Sequence, residues 1–81
     1  MSNHHPNPTA SHSQCEAVLE RLMATPNSWV AMPELYRVSG SMAVHSRIAD
    51  LRGRGHVIEH KNERAGRQIH SFYRLMVEVP A

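Results

Sequence analysis

Two neighbouring stretches hold most of the side chains able to do chemistry. "VHSRIADLRGRG" carries His45, Ser46, Arg47, Arg52 and Arg54, and "HKNERAGR" carries Lys61, Arg64 and Arg67. Guanidinium groups match phosphate oxygens and the O6/N7 edge of guanine, so this pattern suits a polyanion. Between His45 and Arg74 seven basic residues stand against three acidic ones, a local charge of +4, whereas the remainder holds two against four, or −2. The net charge is only +2. The asymmetry, more than the total, predicts one polyanion-facing side.

Other chemistries lack their residues. Cys15 is the single cysteine, which excludes an internal disulfide and a cysteine-based zinc site. It shares a stripe with Val18, Leu19 and Leu22, so it reads as a buried thiol. His56, His60 and His70 have no HExxH, no cysteine partner and no carboxylate at ligand spacing; they read as hairpin packing or plain exposure, as His4 and His5 read as tail. There is no G-x-S-x-G, no P-loop, no carboxylate pair and no nucleophile–base pair, so neither an enzyme nor a cofactor is expected. No apolar run approaches the roughly 20 residues of a membrane span, and the N-terminus has no apolar signal core. A cytoplasmic protein with no membrane partner is expected. At 81 residues the chain has room for one small domain, and a folded part of about 60 residues buries only about 60% of its unfolded surface. A binding module fits that size better than an elaborate pocket does.

The elements that must position these side chains follow from periodicity. Residues 1–12, polar and proline-containing, predict a disordered tail. Cys15, Val18, Leu19, Leu22 and Met23 predict a first helix over 13–24, capped by Ser13 with Glu16 three residues on, and ended by Thr25-Pro26. "SWVAM" is a brief extended segment, with Trp29 expected in the core. Pro33 and Glu34 open a short second helix to Val38. Ser39-Gly40-Ser41 supplies a turn, with Ser41 as cap. Val44, Ile48 and Leu51 share one face of a third helix over 42–54 that ends at Gly55.

After Gly55 the period changes to 2. "HVIEHK" and "QIHSFYRL" read as strands separated by the loop "NERAGR". Ile58, Tyr73 and Leu75 are the expected core residues. Phe72 falls on the opposite face, either covering an edge or meeting a partner. Residues 76–81 form a short tail.

This order, with "VHSRIADLRGRGHVIEH" over 44–60 and "FYRL" over 72–75, resembles the winged helix–turn–helix family across residues 13–75. The likeness is closest to small winged-helix proteins of phages and prophages. In that family an SRI-x-DLR segment of helix three leads through glycine into the first wing strand, and a Tyr-x-Leu strand closes the core. The resemblance implies an α+β, mostly α domain of three helices followed by a two-stranded β-hairpin wing. It also implies a duplex-DNA-binding transcriptional regulator or recombination accessory factor, with helix three in the major groove and the wing on the backbone.

Carried over residue by residue, Ser46, Arg47 and His45 would read bases, Arg52 and Arg54 would meet phosphates, and Lys61, Asn62, Arg64 and Arg67 would form the wing contacts. Asp50 lies on the same outward face and predicts an i,i+3 pair with Arg47. The alternative is a winged-helix protein-interaction module, either a complex subunit or a phage-encoded inhibitor of a host machine, since fold does not fix activity. Palindromic operators would favour a homodimer, for which the second helix, Phe72 and "MVEV" are the candidate surfaces.

Overall fold

Cys15, Val18 and Leu22 recur at three- and four-residue spacing and are all buried, so one side of the first helix forms the floor of the core. In the computed structural model, which describes residues 8–78, α1 spans Pro8–Ala24, β1 Val30–Ala31, α2 Met32–Ser39, α3 Val44–Gly53, β2 Ile58–Ala65 and β3 Gln68–Leu75. The result is a small α+β domain of three helices and a three-stranded antiparallel sheet, ordered β1-β3-β2. The core joins Cys15, Val18 and Leu22 to Val30, Leu35, Val44, Ile48, Leu51, Ile58, Tyr73 and Leu75. Among the described residues no helix is long and apolar enough to cross a membrane.

The structure departs from the sequence expectation in several places, and Met23 of the expected apolar stripe is 58% exposed. First, α1 starts at Pro8, not Ser13. A proline opens a helix without loss because its missing N–H would have no helical partner there. Residues 8–12 of the expected disordered tail are therefore helical, while residues 1–7 lie outside the described residues, as do residues 79–81 of the expected C-terminal tail.

Second, the sheet has three strands. Val30 and Ala31 pair with Tyr73 and Phe72. The turn before them is tied down from both ends of Asn27, whose N–H donates to Leu75 O at 2.8 Å and whose Oδ1 accepts from Val77 N at 3.0 Å.

Third, "NERAGR" is no loop. β2 runs through Ala65 and pairs with β3 in continuous register from Ile58↔Leu75 to Ala65↔Gln68. The two strands are joined by Gly66-Arg67 alone. Gly66 has φ +64°, the positive φ that a two-residue hairpin turn asks of its first central residue.

Fourth, Trp29 lies outside the core. It is half-buried on the outer face of the sheet, with Lys61 Nζ 4.7 Å and Arg74 Cζ 4.3 Å from its ring. Lys61 Nζ is also 5.2 Å from the Phe72 ring. Phe72 thus covers that outer face together with Trp29 and two cations.

Serine hydroxyls tie the link between α2 and α3, but Ser41 is not the expected cap of α3, whose N-cap is Ala43 with no side-chain hydrogen bond. Gly40, at φ +64°, ends α2 and donates its N–H to Tyr36 O. Ser39 Oγ donates to Leu35 O at 2.6 Å and accepts from Ser41 N, and the buried Ser41 Oγ accepts from Ala43 N at 3.1 Å. These contacts satisfy backbone groups that neither helix can pair. They also set the direction in which α3 leaves the turn.

Candidate nucleic-acid interface

With Val44, Ile48 and Leu51 in the core, α3 turns Ser46, Ala49, Asp50 and Gly53 to solvent. The two flanks of this strip are where its basic residues lie, and each flank meets a neighbouring element. On the first flank Arg47 and Arg54 reach α1. Arg47 Nη1 donates to Gln14 Oε1 at 3.3 Å, and Nε lies 3.2 Å from Asp50 Oδ2, out of line for a hydrogen bond. The Arg47 side chain is only 15% exposed. Arg54 Nη1 pairs with Glu16 Oε1 at 3.2 Å.

Asp50 also accepts from the Cys15 thiol at 3.6 Å. Burial pushes the Cys15 pKa up, and the Asp50 charge adds to that shift, so the thiol stays protonated and inert.

The second flank faces the sheet. Arg52 donates from Nε and Nη2 to the Ile58 carbonyl at 3.1 and 2.7 Å, fastening the end of α3 to the start of β2. His45 Nδ1 is hydrogen-bonded to Tyr73 Oη. Tyr73 is 2% exposed, and burial raises its phenol pKa while the Arg52 charge opposes the rise. The His60 ring stacks on Tyr73 at 4.6 Å and 15°, and meets the His45 ring edge-on at 6.0 Å. Both imidazoles are exposed.

From His60 a track of polar residues climbs the inner face of the hairpin. Strand alternation puts Ile58, His60, Asn62 and Arg64 on one side of β2, opposite Leu75, Tyr73, Ser71 and Ile69. Ser71 Oγ donates to Asn62 Oδ1 at 2.8 Å, which leaves the Asn62 amide nitrogen free to donate outward. Arg64 and Arg67 are exposed and form no ion pair or hydrogen bond among the described residues.

No family model, curated protein or solved structure matches the chain. The geometry alone therefore carries any functional reading.

Of the side chains singled out from sequence, His45 meets the hairpin at Tyr73 and His60, Arg64 lies further along the same inner face, Arg67 stands at the hairpin tip, and Ser46 faces outward on α3. Lys61 is separated from them. It lies across from Phe72 on the outer face and pairs with Glu63 at 2.6 Å. Arg47, Arg52 and Arg54 each hold a structural partner. Arg37 is likewise engaged, bonding through Nε to Glu34 Oε2 at 3.0 Å.

Asn62, expected in the wing, lies on the inner face beside His60, which sequence reasoning does not single out as an interface residue. The alternation from Ile58 places both on the inner face, but the approach of His45 from α3 is a tertiary event that no local pattern encodes. Among the described residues no three of His, Cys, Asp and Glu converge where they could hold a metal ion.

Proposed function

We propose that the protein is a small winged-helix module that binds duplex DNA, with α3 entering the major groove and the β2–β3 hairpin acting as a wing on the backbone. One observation carries this reading. An outward helix strip of short side chains, Asp50 its one carboxylate and paired with Arg47, stands beside a hairpin whose inner face and tip present His60, Asn62, Arg64 and Arg67. Short residues let a helix approach base edges closely, and the major groove is wide enough to admit it. Ser46 and His45 are the candidate base contacts. Arg64 and Arg67 supply charge that no internal partner has consumed, and no catalytic step or cofactor enters this reading. A regulator or a recombination accessory factor of phage or prophage type fits such a module.

The test is an electrophoretic shift or anisotropy titration with mixed-sequence duplex at low salt. A complex that weakens as salt rises is expected. No complex with any duplex overturns the reading.

A second reading, a protein-interaction module, draws on one feature. Tyr36, Gly40, Ser41 and Met42 line an open apolar groove of about 380 Å³ at the α2–α3 turn, and Met42 is 91% exposed. Sedimentation of the wild type against Met42→Asp tests whether a second copy covers it, with a dimer lost in the variant as the supporting result.

A further inference from the structure

His45 and His60 form a histidine pair where α3 meets the hairpin, with ring centroids 6.0 Å apart. Tyr73 from β3 contacts both rings, and the Arg52 charge and Tyr36 act on the Tyr73 phenol in opposite directions. Glu59 and Lys61, the sequence neighbours of His60, point to the opposite face of the sheet. Among the described residues neither imidazole is within 4.0 Å of a carboxylate.

His45 is held by its hydrogen bond to Tyr73. When it is neutral, either Tyr73 Oη or Nδ1 donates to the other. When both its nitrogens are protonated, Oη must accept, and the phenol proton of the buried Tyr73 loses its acceptor. His60, by contrast, is exposed and held only by its ring contacts with Tyr73 and His45.

An arriving phosphate would bring an anion beside an exposed histidine that has no carboxylate within 4.0 Å among the described residues. We infer that His60 is a proton-linked phosphate ligand at the helix–hairpin junction, so that the protein takes up a proton as it closes on a nucleic-acid backbone. The inference rests on the duplex-binding reading and assigns that site its regulation by pH. His45 contributes a contact held in orientation by Tyr73. Asn62, next along the same strand face, adds a neutral amide donor.

The sign follows from linkage. A group whose pKa rises on binding favours the complex as pH falls. A histidine starting near 6.5 and raised by one unit tightens binding about six-fold between pH 8 and pH 6.

Duplex affinity is measured by anisotropy at those two pH values and constant ionic strength, for the wild type, His60→Gln, His60→Phe and His70→Gln. Gln keeps a polar donor, Phe keeps the stack on Tyr73, and His70 lies on the outer face. The expected result is a steep wild-type and His70→Gln profile, flattened in both His60 variants. Equal affinity at both pH values in the wild type overturns the inference while leaving duplex binding intact. An unchanged profile in His60→Phe, with circular dichroism showing a folded chain, overturns it as well. No complex at either pH overturns the duplex reading and this inference with it.

Discussion

Arg52 of α3 holds the carbonyl oxygen of Ile58 with two nitrogens, Nε at 3.1 Å and Nη2 at 2.7 Å. The residue that sequence reasoning assigns to a phosphate is thus also the clamp between the last turn of α3 and the first residue of the hairpin. Its Nη1 has no hydrogen-bond partner among the described residues, and the residue as a whole is exposed. Contact with a polyanion need not break the clamp.

Replacing Arg52 with alanine should therefore cost stability before it costs affinity. A hydrogen bond from a charged donor contributes about 1.5–3 kcal/mol, and the exposure of this arginine places it toward the lower end. For a domain of this size the loss lowers Tm by several degrees, at about 4–8 °C per kcal/mol. Arg54→Ala removes only an exposed ion pair with Glu16 and should move Tm by about a degree or two. Thermal unfolding of both variants decides the matter, and an Arg52→Ala variant melting with the wild type would show that the clamp does not bear on stability.

The salt dependence of duplex binding should be shallower than a count of basic residues predicts. The sequence suggests about five phosphate contacts and a log–log slope near −4 to −5. In the fold, Arg47 is packed on α1 and Lys61 is turned to the outer face. Arg64 and Arg67 alone give a slope of about −2, and recruiting Arg52 and Arg54 brings it to about −4. The double variant Arg64→Ala/Arg67→Ala should lose about two units of slope on every duplex sequence. An unchanged slope would place the interface elsewhere.

The local features of the fold were legible because they depend on neighbours in sequence. The Cys15–Val18–Leu22 stripe, the Val44–Ile48–Leu51 face, and Ile58, Tyr73 and Leu75 are buried as periodicity predicts. The Arg47–Asp50 pair, three residues apart on one helix, is present. What sequence left open depends on which elements meet. Arg54 finds Glu16 across 38 positions, and His45 finds Tyr73 across 28. Trp29 looked like a core residue by type, yet two cations can serve an indole face as well as apolar packing can. The hairpin tip looked like a loop because both its faces are solvated and no alternation marks it.

Acid should weaken the junction between α1 and α2. Glu34 accepts from Arg37 and from Arg21 Nε, the latter at 3.3 Å. These bonds, the one from Arg37 foremost, hold its carboxyl pKa at about 2 against an ordinary 4.5, although partial burial works the other way. A lowered folded-state pKa means the contribution is complete above the ordinary value and fades as pH falls through it toward 2. Glu34→Gln should be less stable than the wild type at pH 6, and the gap should narrow steadily between pH 4.5 and pH 2. Denaturant midpoints across that range test this, and a gap independent of pH would exclude the triad as its source.

Trp29 offers a check on which face docks. It lies on the outer side of the sheet, under Lys61 and Arg74, and Arg74 is held in turn by Glu59. The proposed interface, formed by the outward strip of α3 and the inner face and tip of the hairpin, is on the other side of that sheet. Saturating the protein with duplex should therefore leave the emission of its single tryptophan nearly unchanged, while signals from residues near His45 and Arg64 respond. Trp29→Leu should keep duplex affinity within about two-fold, and should lose only the cation–π attraction, about 0.5–1 kcal/mol for each exposed contact. Strong quenching on duplex addition, or loss of binding in folded Trp29→Leu, would move the interface to the outer face. There Lys61 and Arg74 are already balanced by Glu63 and Glu59, so binding at that face would have to break these pairs, and its salt dependence would include their loss.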